Sequence, residues 1–378
     1  MRSSGDDAKK VKMAQIRSGL ITDPESSDSL EPKSKSCRLP MPDTVELSQI
    51  NWLYTVPIVA IHLLAFAATL PYFFSWTGLI VAVIGVHQFG AAINMCYHRQ
   101  LTHRSFRTPK WLERFFVVVA LCCMQDTPAR WVATHRCHHQ YSDDQSDPHT
   151  PLVNFLWAHV GWLLVRNRGT ESLAAYQKYA YDILADPFYM KLEKNRALAF
   201  LIYLAHAILF FLIGFALGWW IDGNAAAGVQ FGLSLFVWGV LLRTVLVWHV
   251  TWSVNSLTHL FGYQTYKTGE HSRNNWLVGV FAAGEGWHNN HHHDQTSASN
   301  QRRWWEIDLT YYQIKLLSMV GLATDLVPRR SERLAKAQGQ SQAEQGESCS
   351  DAADAHGNAD AGNTATTMTA SSRDAISK

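Results

Sequence analysis

The stretch VQFGLSLFVWGVLLRTVLVWHVTWSV, residues 229–254, is 26 residues long and holds one fixed charge, Arg243. A helix rises 1.5 Å per residue, so about 20 apolar residues cross the hydrocarbon of a bilayer. Three further segments meet that length, 52–71, 76–97 and 197–220. YFFS separates the first two and IDGNAAAG the last two, which predicts two helical hairpins. Buried helices of a large soluble core are the competing reading. An apolar run this long with aromatic-rich ends fits a bilayer better.

The remaining composition agrees. Charged residues make up only 17% of the 378, while 15 are tryptophan. The net charge of +2 gives no reason to expect nucleic acid as a partner. Six cysteines without a CxxC pair fit a reducing compartment. Residues 1–45 are rich in Ser, Asp, Lys and Pro, with no apolar core of a signal peptide, and are expected to be a disordered arm. Residues 331–378 are expected to be a disordered low-complexity tail, which leaves 46–330 as the folded membrane domain.

Orientation follows from charge. Of the 33 Lys and Arg, 32 precede Trp52, lie between His98 and Arg196, or follow Val254. The positive-inside rule puts those three regions, and both termini, on the cytoplasmic side.

The histidines gather in the same regions. YHRQLTH holds His98 and His103, HRCHHQYSDD holds His135, His138 and His139, NSLTH ends in His259, and HNNHHH holds His288, His291, His292 and His293. In HxxHH, positions i, i+3 and i+4 share a helical face, so three imidazoles are expected to converge. His98 and His103 are five apart, about 140° around an α-helix, and would reach different sides of a shared site. Nine imidazoles exceed the three or four that one zinc takes, so two metal ions are expected. Ligand type alone leaves Zn, Cu, Fe and Ni open. An open coordination position for oxygen at a membrane face favours non-haem iron. Metal-bound imidazoles need partners on their other nitrogen, and Asp143, Asp144, Asp147, Glu285, His149 and His159 are the candidates. His62, His87, His206 and His249 stand singly in the apolar segments and are expected as neutral imidazoles bonded to neighbouring helices. His271 and His356 stand alone outside them.

HRQLTHRSF, HRCHHQYSDDQSDPH and GEGWHNNHH resemble the three histidine boxes of membrane fatty acid desaturases, in particular the stearoyl-CoA and acyl-lipid Δ9 group. HVGWLL and TWSVNSLTH resemble that group too, and the likeness spans about residues 50–325. It implies an all-α integral membrane protein: four transmembrane helices under a cytoplasmic helical cap that holds two irons. It implies His98, His103, His135, His138, His139, His259, His288, His291 and His292 as ligands, with Asn255 holding one iron through a water. Thr251 and Trp252 match positions at the bend of a substrate tunnel. Animal acyl-CoA members carry an Arg-Asp pair where this chain has Ala133 and Thr134, and HNNHHH and WWEIDLT look more like bacterial relatives. Arg130 and Arg136 remain as cations for a phosphate or as solvated surface charges.

The resemblance implies insertion of a cis double bond, Δ9, into a saturated acyl chain carried by CoA or a membrane lipid, with O2 as oxidant. The chain lacks HPGG, CxxC and GxGxxG. A separate ferredoxin or cytochrome b5 with an NAD(P)H reductase is therefore expected, in a bacterial cytoplasmic membrane rather than the endoplasmic reticulum. The competing functions are a hydroxylase of the same superfamily, a zinc-dependent hydrolase, against which the lack of HExxH counts, and a non-enzymatic metal-binding membrane protein. His293 has no counterpart in HRCHHQ, where Gln140 follows, and is set apart from the ligands.

Overall fold

The computed structural model describes residues 38–340. Its elements run β1 (Val45–Ile50), α1 (Trp52–Ala65), α2 (Trp76–Thr102), α3 (Lys110–Leu121), α4 (Pro128–Tyr141) and β2 (Val165–Asn167). Four short cap helices lead to α5 (Arg196–Asp222), α6 (Ala225–Leu260), α7 (Trp276–Phe281), α8 (His288–His293) and α9 (Leu309–Met319). α1 continues as a 3-10 turn over Phe66–Thr69. With that turn it joins α2, α5 and α6 as the four helices long and apolar enough to cross a membrane. The protein is mostly helical, and its sheet is a two-stranded ribbon, β1 antiparallel to β2 with Val45 opposite Asn167.

Three of the four sequence boundaries fell short of the helices, whereas 52–71 ran past the turn that ends at Thr69. Only Gly223 and Asn224 break the IDGNAAAG connection. Gly223 takes a left-handed φ of 68°, and the Asn224 side chain accepts the Ala227 N–H to start α6. Ser75 starts α2 in the same way, accepting from Gly78 N–H at 2.9 Å. Hydropathy registers only the apolar part of each helix. α6 is 36 residues, about 54 Å, which exceeds about 30 Å of hydrocarbon, and His259 lies in its last turn.

Two segments assigned to the polar ends are also ordered. Leu39 N–H donates to Leu152 O at 3.1 Å, ahead of β1, and residues 330–340 are helical. The predicted disorder of 1–37 and 341–378, and the lone His356, fall outside the described residues.

α5 and α6 pack backbone to backbone through small residues. A Cβ on Gly214 would lie 2.8 Å from Gly232 Cα, so neither position has room for a side chain. The outer faces are apolar, with Leu63 on α1, Leu209 on α5 and Leu246 on α6 all exposed, as lipid contact requires. Arg243 is fully buried. Its guanidinium donates to Gly239 O, Cys122 O and His206 Nε2 and lies 3.9 Å from the Phe89 ring centroid. Trp248 Nε1 donates to Cys123 O at 2.7 Å, so α6 pins the loop between α3 and α4 from two points.

Candidate metal centre

The nine histidines gather in two groups at the cap end of the helices. His98, His103, His135, His139 and His291 form one, and His138, His259, His288 and His292 the other. The two HxxHH helices explain the division. In α4 the i, i+4 pair His135 and His139 serves the first group while His138 turns to the second. In α8 the pair His288 and His292 serves the second while His291 crosses to the first. The expected convergence of three imidazoles is thus corrected to a split of two and one. Positions i+3 and i+4 diverge by one residue step, about 100°, and a neighbouring site uses that divergence.

A second correction concerns His98 and His103. Residues Ile93–Thr102 form a π-helix, closed below His103 by a bond from its N–H to His98 O at 3.2 Å. A π turn closes over five residues, so His103 stands over His98 instead of 140° away, with ring centroids 4.9 Å apart.

The spacing within the groups is that of ligands. Nε2 of His291 lies 3.1 Å from that of His98 and 3.0 Å from that of His139, which lies 3.0 Å from that of His135. In the second group His288 Nε2 is 3.1 Å from both His259 Nε2 and His292 Nε2. Two nitrogens bound to one metal at about 2.1 Å and about 90° lie about 3.0 Å apart.

Carboxylates fix which nitrogen faces inward. His98 Nδ1 is 2.9 Å from Glu285, His138 Nδ1 3.0 Å from Asp147, and His259 Nδ1 2.8 Å from Asp143. An Nδ1–H donated to each carboxylate leaves Nε2 as a bare lone pair. Nε2 of His103 and of His138 is buried with no hydrogen-bond partner. Orphaned lone pairs of this kind, with others directed at each other, fit a metal cation and little else.

Burial, reinforced by neighbouring imidazoles, holds His103, His135, His139, His288, His291 and His292 well below the ordinary histidine range, so these rings are neutral. Burial would raise the Glu285 carboxyl, yet Arg99 and His98 hold it at about 2. Asp143 and Asp147 are likewise lowered despite burial, chiefly by His259 and His138 respectively.

Other expectations fared unevenly. Asp143, Asp147 and Glu285 meet the imidazoles, and Asp144 is an exposed residue of the turn after α4. His149 packs on His138 at 4.4 Å between centroids. His159 points away from both groups: its Nδ1 pairs with Ser256 Oγ at 3.0 Å and its Nε2 with His249 Nδ1, which extends a chain to His62. His293 stacks on Tyr266 at 3.7 Å, outside both groups. Neither Arg130 nor Arg136 is a free surface cation. Arg130 is buried against Tyr54, Glu171 and Asp126, and Arg136 holds Asp182 with the Leu101, Thr102 and Tyr179 carbonyls.

Three residues escaped the sequence reading. Arg99, 1% exposed, donates to Glu285 at 2.8 Å, to Asp308 at 2.9 Å and to Ala298 O at 2.8 Å. Glu270 lies 3.6 Å from His292 Nδ1. Adjacency to His98 was the only signal for Arg99. Asp308 and Glu270 are brought in by tertiary folding alone.

A cavity of about 470 Å³ leads away from the first group. His135, Asn255, Thr251 and Trp252 line its inner part, and Leu53 of α1 and Phe200 of α5 its outer part. Leu53 and Phe200, near the starts of α1 and α5, are 57% and 55% exposed, so the cavity reaches the surface there. Gln125, another residue without a sequence signal, donates to Thr251 Oγ1 at 2.8 Å in the cavity wall.

Four helices long and apolar enough to cross a membrane, two imidazole groups that could hold metal ions and an adjoining cavity are the outline of an integral-membrane enzyme. Residues 73–315 match the fatty acid desaturase family. The chain is 42% identical over 279 residues to the sn-1 stearoyl-lipid 9-desaturase of Anabaena variabilis, covering 74% of this chain and 94% of that one. Identity to the Synechocystis protein of the same name is 40% over 276 residues, covering 73% and 80%. The acyl-CoA 5-desaturase of Anemone leveillei is 37% identical over 314 residues, covering 79% and 89%. The chain belongs to the fatty acid desaturase family, and it is an oxidoreductase of fatty acyl chains.

Proposed function

We propose that this protein inserts a cis double bond at Δ9 into a saturated acyl chain of a membrane glycerolipid, with O2 as oxidant. The observation that carries the reading is shared by two features: His135 belongs to the first imidazole group and also lines the apolar cavity. His98, His103, His135, His139 and His291 would hold one iron ion. His138, His259, His288 and His292 would hold the other, with Asn255 contributing through a water. Bound iron would supply the oxidising power to remove one hydrogen from each of two adjacent methylenes.

The chain's own residues perform the positioning. Asp143, Asp147 and Glu285 keep protons on Nδ1 and lone pairs on Nε2. The cavity holds a featureless chain and excludes water, and Thr251, Trp252 and Gln125 set its path beside the first group. Overall two C–H bonds break and a C=C bond forms. O2, two external electrons and two protons leave, with the two hydrogens, as two waters. The electrons come from a separate ferredoxin or cytochrome b5 served by an NAD(P)H reductase. The metal groups and both termini face the cytoplasm, in a bacterial cytoplasmic membrane.

Two observations favour a lipid carrier over CoA. The cavity reaches the surface beside two exposed apolar side chains, Leu53 and Phe200, which suit contact with lipid. Arg130 and Arg136 are committed to internal carboxylates, and Ala133 and Thr134 offer no charge for a nucleotide phosphate.

Expression in a desaturase-deficient host, followed by lipid analysis, tests the reading. A Δ9-unsaturated glycerolipid chain is expected. A hydroxylated chain with no alkene would replace the desaturase by a hydroxylase.

A further inference from the structure

We propose that O2 reaches the metal groups by its own passage from the bilayer, between α2 and α6, which meets the acyl cavity only at Trp131, His135, Thr251 and Asn255. A second cavity, of about 50 Å³, lies between these two helices beneath the end of α7. Val86 and Gly90 of α2, Val250 and Val254 of α6, and Phe281 of α7 form its walls. His98, His135 and His288 stand at its inner end, so it meets both metal groups. Its outer end reaches the surface, where Phe281 is 53% exposed and Val86, Gly90 and Val250 are partly so. Gly90 lies eight residues before His98, about 12 Å down the helix, at the depth of the hydrocarbon. Polar side chains share the lining, Thr251, Asn255 and Glu285 among them. Asn94 is tied to Ala282 O at 3.0 Å, and His87 has an Nδ1 buried without a partner.

The acyl cavity cannot serve both substrates. Once an acyl chain fills it, methylenes block the way to His135. O2 is apolar and dissolves better in hydrocarbon than in water, so the bilayer is its reservoir. A short, valine-lined opening inside the hydrocarbon is the entry such a molecule needs.

Gly90 marks the route. A Cβ built on it meets nothing within 4 Å, and Gly90 is not among the glycines with positive φ. A helix-interior glycine destabilises the helix relative to alanine. Here neither backbone conformation nor a neighbouring atom requires one, and what it leaves is open space.

The inference rests on the proposed O2 chemistry, and its test separates the two. Xenon, an apolar probe of dry cavities, is bound under pressure to crystals of the resting protein, and initial rates are measured against O2 and against acyl lipid. Xenon is expected beside Gly90 in the wild type and absent in Gly90→Leu and Gly90→Phe. In those variants KM for O2 should rise several-fold while KM for the acyl lipid holds, with Gly90→Ala rising less. An active Gly90→Phe enzyme that has lost xenon yet keeps its KM for O2 overturns the passage alone. So does a wild type with no xenon at this place, or a parallel rise in both KM values. A wild type that forms product without O2 overturns the proposed chemistry and the passage with it.

Discussion

The Nε2 atoms of His98 and His291 lie 3.1 Å apart although 193 residues separate them in the chain. His98 donates its Nδ1–H to Glu285, so its lone pair faces His291 across that gap. A cation between the two nitrogens turns repulsion into ligation. His291→Ala and His292→Ala should therefore reduce desaturation to background and lower bound iron, by product and metal analysis of purified protein. His293→Ala should keep most of both, since its ring stacks on Tyr266 instead. Equal losses in all three variants would break the assignment.

The carboxylates behind the imidazoles make a separate prediction. Glu285→Gln and Asp143→Asn preserve shape but no longer anchor the His98 and His259 Nδ1 protons as charged acceptors. Removing such partners weakens metal binding about 10–100-fold. Competition with a chelator reads this directly, and unchanged affinity in both variants would mean that the carboxylates do not set the tautomers.

Arg99 is expected to be structural. It joins Glu285 and Asp308, both almost fully buried, and its loss strands two carboxylates. Breaking a buried pair of this kind costs about 3–5 kcal/mol. Arg99→Leu should lower the unfolding temperature in detergent markedly and Arg99→Lys less. A Tm within error of wild type for Arg99→Leu would count against this role.

Asp182 supplies a pH dependence away from the metal. Burial raises its carboxyl, but hydrogen bonds from Arg136 and Arg104 more than offset that and hold it below the ordinary value. A depressed carboxylate stabilises the fold above its unfolded pKa and loses the effect as pH falls through the folded one. The Tm difference between wild type and Asp182→Asn should be full at about pH 5 and shrink below about pH 4. A difference that grows on acidification would reverse the sign.

The helices and the nine histidines were legible because each signal is local: apolar runs of 20 residues or more, HxxHH for six histidines, HxxxxH for His98 and His103, and the desaturase-like TWSVNSLTH for His259. How the imidazoles divide was not legible. Which of positions i, i+3 and i+4 meets which group depends on how α4 and α8 face each other. The π turn before His103 has no marker in YHRQLTH, since sequence spacing presumes 3.6 residues per turn. Glu270 and Asp308 reach the site from loops whose residues carry no pattern. The ends of α2 and α6 were set short because hydropathy fades where they become part of the cap, although the backbone continues.

That continuity of α6 ties the chemistry to the membrane's physical state. The α-helical stretch from Arg243 to Leu260 carries both the exposed Leu246 and the candidate ligand His259, thirteen residues, about 20 Å, further on. A change in bilayer thickness tilts such a helix, and the tilt is felt at its imidazole end. Lipid saturation, which the enzyme would itself alter, becomes an input to its own geometry. Reconstitution in bilayers of graded acyl length, scored by turnover, would register that feedback.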